Sequence, residues 1–215
     1  IIDLAVYKDI NLLYSLQNPV ILEDILLYIA RNNSAIFEIE KAVRLFGGLQ
    51  PHVLEKYLEY LESAFLVHSI TNYNSDLSKA QSSVKKFYFS DTGIRNALLG
   101  NYSPDLKDVN LLIDNAVFLH LLRIKSEYNF EIFYWRKGNY YCDLVIELAD
   151  EKIPVLISYK HKQEKNFERN IIRFLEEENC EKGIIITKEE FEISSYYGYQ
   201  LLKIPASVFL LDASN

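Results

Sequence analysis

Basic residues gather in one segment of the chain, and phosphate binding is the chemistry they could do. Clustered lysines and arginines neutralise phosphate groups, so this segment is a candidate contact for nucleic acid. The predicted nucleic-acid-binding residues are Lys160, Lys162, Lys165, Arg169 and Arg173, with Arg136 and Lys137, and also Lys152, as neighbours in the fold. The alternative is an ordinary solvated helix face, in which Glu164 and Glu168 lie opposite the lysines.

The helix predicted to begin at Pro51 offers a second candidate surface of opposite charge. Its outward residues are His52, Glu55, Lys56, Glu59 and Glu62. Three acids against one lysine make a poor contact for phosphate. Such a face is better explained by packing against protein.

The composition excludes several classes of protein. A net charge of −7 opposes general attraction to nucleic acid, so any such contact must use a local patch. No apolar run approaches the roughly 18–20 residues of a membrane span, and the N-terminus lacks a signal-peptide pattern. Two cysteines and four scattered histidines give neither a disulfide framework nor a zinc-binding spacing. We therefore expect a cytoplasmic protein, and the absence of Met, even at position 1, suggests an internal piece of a longer chain.

Three helices and a β-hairpin are predicted in the first half of the chain. The predicted elements are helices over 20–31 and 36–46, the latter capped by Ser34, a helix from Pro51 to Phe65, and strands over 66–73 and 84–89. Three helices followed by a hairpin are the winged-helix arrangement, in which the helix from Pro51 is the recognition helix. A helical packing module of the same shape is the alternative. The predicted first domain covers residues 1–100.

The second half, residues 101–215, has the pattern of a mixed α/β domain. A linker is predicted over 100–108, followed by helices over 111–124 and 163–178 and by apolar strands over 131–136, 140–148, 153–160, 182–187 and 207–212. The order α-β-β-β-α-β gives a mixed sheet with helical crossovers. The whole chain is thus expected to be of the α+β or α/β class.

Four stretches of the sequence resemble a known family. YFSDTGIRNALLG at 88–100, LLIDNAVFLHLL at 111–122, YWR at 134–136 and CDLVIEL at 142–148 are similar to the C-terminal half of a family of prokaryotic AAA-type ATPases. In that family an N-terminal ATPase is followed by a winged helix and by a domain with a PD-(D/E)XK nuclease-like fold. The resemblance implies that ATP and Mg²⁺ bind in an N-terminal part that is absent here. This fragment has no phosphate-binding GxxxxGK[ST] loop of its own.

The resemblance also implies a catalytic site, which this sequence matches only in part. The family pattern has a glutamate on the first helix of the nuclease-like domain, an aspartate on the second strand, and glutamate-x-lysine on the third. Here Asp114 takes the helix position and Asp143 the second-strand position, whereas Leu156 and Ser158 stand where the third-strand glutamate and lysine belong. A register shift of two would make Lys160 the lysine.

Metal-dependent phosphodiester cleavage sets the standard that these residues must meet. It needs several oxygen ligands for Mg²⁺ and a positive group to stabilise the transition state. Because no carboxylate stands on the third strand, Asp114, Asp143 and Lys160 are expected to be vestigial, Mg²⁺ is expected only if the nuclease is active, and no metal site is predicted.

Each of these residues also has an ordinary structural role open to it. Asp143 is expected to pair with Arg136, and Asp114 to cap or pair locally. Cys142 and Trp135 are expected in the core.

Three functions remain open on the sequence alone. The first is a recognition or regulatory module that positions a partner, DNA or protein, for an attached ATPase. The second is an active Mg²⁺-dependent nuclease, and the third is a scaffold for protein–protein or oligomer contacts.

Overall fold

The chain divides into two compact units. A computed structural model describes residue 10 and residues 20–74, 84–102, 105–149, 151–159 and 167–211, without the side chains of residues 106 and 107. The first unit comprises Ile1–Ser69 and Val84–Ser103, and the second comprises Ile70–Ser83 and Pro104–Asn215. The predicted division at residue 100 assigns residues 70–74 to the first domain, whereas these residues group with the second unit. The reason is that Tyr73 packs there, as described below.

Helices and a small sheet form the first unit. In chain order its elements are α1 (Val20–Arg31), β1 (Ile36–Phe37), α2 (Ile39–Leu45), α3 (Pro51–Ser63), β2 (Val67–Thr71), β3 (Lys85–Phe89) and α4 (Thr92–Leu99). The strands pair in the order β1-β3-β2. Leu22, Ile25 and Leu26 lie on the buried stripe of α1 that the spacing predicts. Apart from β1 and α4, this order of three helices and two strands is the one predicted from the sequence.

Two details of the first unit differ from the sequence prediction. The second helix is expected over 36–46 with Ser34 as its cap, but Ile36 and Phe37 pair with β3, so the helix begins only at Ile39. Ser34 has a φ of 60° and donates its backbone N–H to the carbonyl of Phe87. The structure of residues 36 and 37 is therefore determined by their pairing with β3 and not by the helical spacing of apolar residues.

The helix α4 has no counterpart among the predicted elements. Asp91 caps it by accepting the N–H of Gly93 at 2.6 Å, and Gly100 ends it with a φ of 60°. Arg95 of this helix is buried, and its Nε donates to the carbonyl of Ala30 at 3.0 Å. The stretch at 88–100 thus contains a helix that packs on α1.

A larger mixed sheet forms the second unit. Its elements are α5 (Leu106–Tyr128), β4 (Glu131–Lys137), β5 (Tyr140–Leu148), β6 (Glu151–Ser158), α6 (Glu168–Glu178), β7 (Lys182–Thr187), β8 (Glu192–Tyr196), β9 (Tyr199–Pro205) and α7 (Ala206–Phe209). Within the described residues the strand order is β4-β5-β6-β7-β9-β8, with parallel pairs β6–β7 and β7–β9 and antiparallel pairs elsewhere. The mixed α+β class is as predicted.

The second unit corrects the prediction at both ends. The linker expected over 100–108 overlaps α5, which begins at Leu106 after Asp105 accepts the N–H of Asp108 at 2.9 Å. The strand expected over 207–212 is wrong, because residues 206–209 form a helix. The apolar strand next to β7 is β9, and it joins β8 through a turn at Tyr197-Gly198.

The two longer helices lie on opposite faces of this sheet. Leu156 packs with Ile171 and Leu175 of α6, whereas Ile153, three residues earlier on β6, shares a cavity with Leu121 of α5. Alternate residues of a strand point to opposite faces, so the odd spacing separates the two helices. No described helix combines the length and apolar character needed to cross a bilayer.

Candidate functional site

The most distinctive feature of the second unit is the point where β5 stops pairing with β6. The antiparallel register ends with Leu144 opposite Val155. Beyond that pair, the carboxylate of Asp143 takes over as acceptor, since the N–H of Ile157 donates to its Oδ2 at 2.8 Å. A side chain thus satisfies a strand N–H that the ladder leaves open.

An irregularity in β5 explains why Asp143 can reach β6. Phe133 of β4 pairs with Val145, and Trp135 pairs with Cys142. An advance of two residues along β4 therefore corresponds to an advance of three residues along β5. This is the geometry of a β-bulge, which leaves one residue out of the ladder and turns its side chain. Asp143 lies within this bulge and is partly exposed. The sequence predicts Arg136 as its partner, and the structure shows a hydrogen bond from a backbone amide of β6.

Asp114 lies on α5, the helix that packs against β4 and β6. It is 8% exposed, and Asn115 beside it is fully buried. Asp114 stands in the third turn of the helix, so it does not cap the helix; Asp105 has that role. One turn earlier, the buried Oδ1 of Asn110 accepts no hydrogen bond from the described residues. Polar side chains therefore enter the packed face of this helix.

The third strand carries apolar packing where the family pattern has an acid. Leu156 is fully buried among Ile171 and Ile172 of α6, Ile185 of β7 and Leu201 of β9. Ser158 ends the strand opposite Thr187, and Lys160 lies outside the described residues. Position 156 thus belongs to the core beneath α6.

Asn170 is a site residue that the sequence did not reveal. Its Oδ1 accepts the N–H of Tyr141 at 3.2 Å, and its Nδ2 donates to the carbonyl of Phe167, also at 3.2 Å. It therefore ties the first turn of α6 to β5, two residues before Asp143. In the sequence, the feature that could have indicated Asn170 is the position of its amide side chain directly before the apolar residues Ile171 and Ile172.

The structure describes only some of the predicted nucleic-acid-binding residues, and it places Arg136 and Arg169 at the same corner of the second unit. Arg136 is exposed and stands opposite Tyr141 in the β4–β5 ladder, so it lies at the same end of the sheet as Asn170 and the exposed Arg169. Lys160, Lys162 and Lys165 lie outside the described residues. Arg136 and Arg169 are thus the described part of the set that the fold brings to one corner.

Two other predicted basic residues meet at one glutamate. Lys137 Nζ lies 2.7 Å from Glu177 Oε2, and Arg173 Nη2 lies 2.8 Å from Glu177 Oε1. Arg173 also lies 3.6 Å from Glu176. Since these ion pairs are partly exposed, they are weak, but they lower the net positive charge at this face.

Lys152 lies at the C-terminal end of α6, at the opposite end of this helix from Arg169. Its Nζ lies 2.9 Å from Glu178 Oε2 and 5.4 Å from the ring centre of Tyr73. Glu178 follows Arg169 by nine residues, a separation of about 14 Å along a helix. Lys152 is therefore distant from Arg169, but its partner Glu178 directly follows Glu177, the partner of Lys137 and Arg173.

Lys152 and Tyr73 belong to a polar cluster whose members are too far apart in sequence to be grouped by any motif. The Tyr73 hydroxyl lies 3.4 Å from Glu147 Oε1, and the ring packs on Phe174. The hydrogen bond with Tyr73 and the nearby Glu178 raise the pKa of Lys152. Burial raises the pKa of Tyr73. A protonated amine and a neutral phenol hold structure together and supply no base or nucleophile at neutral pH.

The surface of α3 in the first unit is acidic, as the sequence predicts, with one correction. His52, Glu55 and Glu59 are exposed, but Glu62 faces the sheet, where it accepts from Ser69 Oγ at 2.5 Å and lies 3.3 Å from Lys85. Directly after the helix, Phe65 is 74% exposed and has a φ of 55°. An exposed aromatic residue in a left-handed conformation is uncommon.

At positions where the resemblance implies ligands for Mg²⁺, Leu156 is buried and Asp143 accepts from a backbone amide. In the described ranges, no three His, Cys, Asp or Glu side chains cluster closely enough to hold a metal ion. The arrangement shown is that of a structural bulge with a basic corner beside it.

Two family models match consecutive parts of the chain. Residues 1–105 match a domain of unknown function (DUF8612), and residues 111–207 match another domain of unknown function (DUF4143). An uncharacterised protein from Haemophilus influenzae is 22% identical over 208 residues, which cover 95% of this chain and 50% of that protein. The uncharacterised protein MJ1544 from Methanocaldococcus jannaschii is 27% identical over 194 residues, 86% of this chain and 42% of that protein. The chain thus spans about half the length of the curated relatives it matches.

One solved structure is similar over most of the chain. The crystal structure of protein VC1899 from Vibrio cholerae matches 88% of this chain and 48% of that chain, with 10% identity and a TM-score of 0.33.

Proposed function

We propose that the chain is a recognition module of a cytoplasmic AAA-type ATPase, in which a winged helix is joined to a nuclease-like unit that does not cleave phosphodiesters. The resemblance of residues 88–100, 111–122, 134–136 and 142–148 to the ATPase family supports this proposal. Relatives about twice as long as the chain leave room for an ATPase domain, where ATP and Mg²⁺ would bind. The attached ATPase is then the enzyme, and this module selects what it acts on.

The burial of Leu156 is the observation that best supports the proposal that this unit does not cleave phosphodiesters. A metal-dependent nuclease needs an acidic oxygen at that strand position, and here the position lies in the core with no exposed surface. Asp143, the matched aspartate, accepts a backbone N–H of β6. Two of the family's acidic positions are thus occupied by structural roles.

The nuclease alternative is tested directly. The protein is incubated with plasmid DNA and with single-stranded DNA in Mg²⁺ or Mn²⁺, alongside Asp143→Asn, which retains an acceptor oxygen for the Ile157 amide. No cleavage is expected from either protein. Cleavage by the unaltered protein that disappears in Asp143→Asn would refute the proposal, whereas equal cleavage by both would identify a contaminant.

The acidic face of α3 favours a protein as the partner of the first unit. His52, Glu55 and Glu59 point outward, and phosphate would be repelled by the two carboxylates. We expect Glu55→Lys with Glu59→Lys to weaken binding of the ATPase domain or of a protein partner. Glu127→Lys, a charge reversal at an exposed position on α5, is the control. The interpretation of α3 fails if both charge reversals leave binding as in the control.

DNA contact at the basic corner is a second candidate function, and the shared position of Arg136 and Arg169 favours it. Fluorescence anisotropy with duplex and single-stranded DNA at low salt measures it. Arg136→Glu with Arg169→Glu is expected to weaken binding and to lower the salt slope by about 0.9 for each phosphate that is no longer neutralised. Arg173→Glu is the control, since Arg173 is already paired with Glu177. Equal effects of the two changes would refute DNA contact at this corner.

A further inference from the structure

The strand β8 forms an edge of the sheet in the second unit. Its inner side pairs with β9 from Glu192 opposite Lys203 to Tyr196 opposite Tyr199. Its outer side faces no other strand in the described part of the chain. The other edge strand, β4, is partly covered, because the N–H of Tyr73 donates to the carbonyl of Tyr134 at 2.6 Å. In the described part of the chain, one edge of the sheet is therefore partly covered, whereas the edge at β8 is open.

Large apolar side chains are exposed along β8 and at its ends. Phe191 is 66% exposed, Ile193 74% and Tyr197 76%. Edge strands are normally protected by lysine, proline or a bulge, and the one charged residue in β8 is Glu192. Clustered exposed apolar residues mark an interaction surface. This edge has the features of a strand that pairs with a further strand.

We propose that β8 pairs antiparallel with β8 of a second copy of this chain, with Ser194 on the two-fold axis. The strand has five residues, Glu192–Tyr196, and its centre is Ser194, so full overlap of two copies places Ser194 opposite itself. A two-fold axis perpendicular to the sheet keeps each face of β8 on the same side in both copies. This proposal is independent of the function proposed above.

The side chains suit this register. Ile193 lies opposite Ser195 of the second copy. Phe191, directly before β8, comes to the end of the joint where Tyr197 of the second copy stands in the turn after β8. The two-fold symmetry therefore brings these aromatic residues together at both ends of the joint. A peptide from another protein would have to provide these aromatic partners itself, whereas the second copy already carries them.

The charges of the edge also favour self-pairing in this register. Glu192 lies opposite Tyr196 of the second copy, so the two Glu192 carboxylates do not oppose each other. Like charges directly opposite each other on neighbouring strands destabilise pairing. Centring the joint on Glu192 instead would bring the two carboxylates together. The negative residue at this edge thus selects a register without preventing the contact.

The exposed area sets the strength of the dimer. A buried aromatic residue contributes roughly 150–250 Å² of surface, and the exposed fractions here are two-thirds to three-quarters. Three side chains from each copy then bury several hundred Å², less than the roughly 1,200 Å² at which stable specific interfaces begin. We therefore expect a reversible dimer that dissociates on dilution.

Sedimentation equilibrium over a range of concentrations tests the contact. Ile193→Lys is expected to raise the dissociation constant of the dimer by about tenfold or more, because lysine on an edge strand opposes pairing. Leu211→Lys is the matched control, since Leu211 is 76% exposed and lies outside β8. A monomer at all concentrations, or equal effects of the two lysines, would overturn the proposal.

A disulfide test checks the register. Directly opposite Cβ atoms on paired strands lie about 4.5–5.5 Å apart. In a Cys180→Ser background, Ser194→Cys is expected to cross-link two copies under mild oxidation, while Ser195→Cys, displaced from the axis, cross-links far less. The remaining Cys142 is fully buried. Cross-linking through residue 195 and not through residue 194 would refute the pairing as stated.

Discussion

The hydrogen bond from the Ile157 amide to Asp143 makes a prediction that separates a structural carboxylate from a catalytic one. Replacing Asp143 with alanine removes a charged acceptor at 2.8 Å from a strand N–H. Hydrogen bonds to charged groups contribute about 1.5–3 kcal/mol, and a buried N–H left without a partner costs a similar amount. We expect Asp143→Ala to lower the stability of the second unit by about 2 kcal/mol. Asp143→Asn, which keeps an oxygen, should lower it by about 1 kcal/mol or less.

The single tryptophan makes this measurement specific to the second unit. Trp135 is 4% exposed and packs on Phe174, so its fluorescence reports the unfolding of this unit in urea. With an m-value of about 2 kcal/mol/M, a loss of 2 kcal/mol lowers the midpoint by about 1 M. Residues held for catalysis are often strained, and replacing them commonly raises stability. An alanine variant at least as stable as the unaltered protein would therefore refute the structural role.

Three further predictions concern the packing and the titrating groups. Gly183→Ala should cost about 1–3 kcal/mol, because its Cβ would lie 2.5 Å from Ile171 Cδ1; adding Ile171→Val should restore part of the loss in the same urea assay. The stability of the second unit should fall as the pH rises above about 10, where tyrosine and lysine begin to lose protons in the unfolded chain. Burial raises the pKa of Tyr134 to about 12, and the pKa of Lys152 is also raised. Both groups therefore hold their protons more tightly in the folded protein. Tyr134→Phe and Lys152→Met should each lessen the fall in stability between pH 8 and pH 11. Phe65→Asn should stabilise the first unit by up to about 1 kcal/mol, seen as slower amide exchange in α3, because asparagine adopts a φ of 55° more readily; unchanged or faster exchange would contradict this reasoning.

The periodic elements could be predicted because their local pattern and their packing agree. The helix over 20–31 and the strands at 140–148 and 182–187 have the predicted bounds, since each buries the apolar face that its sequence shows. Trp135 and Cys142 are buried, as predicted. Pro51 opens its helix at the first position, where the missing N–H costs nothing.

The errors arise where a distant partner decides the local structure. The spacing of Ile36 and Phe37 fits a helix, but their backbone pairs with β3 instead. The run over 207–212 is as apolar as a buried strand, yet β9 already occupies the edge of β7 from 199 to 205. The pair of strands β8 and β9 was recognisable from Tyr197-Gly198, whose positive φ values suit a two-residue hairpin.

The candidate site shows the same division between local pattern and distant contact. The sequence identifies Asp143 by its resemblance to a family, but its hydrogen bond depends on a bulge that no spacing reveals. Asn170, Tyr73 and Lys152 come from separate elements, and only the fold brings each to its partner. Lys137 and Arg173 are far apart in the sequence, whereas in the fold they share Glu177.

Leu156 shows why the proposed loss of cleavage is not a matter of one missing acid. Its side chain lies in the core with Ile171, Ile185 and Leu201, so the position to which the resemblance assigns a glutamate is part of the packing of α6 on the sheet. Restoring a glutamate there would bury a carboxylate without a partner, and this cost would shift its protonation or displace the helix. A metal ion could offset the cost only with further acids as ligands, and one oxygen of Asp143 already accepts the Ile157 amide. Cleavage would therefore require the bulge, the core and the helix contact to change together.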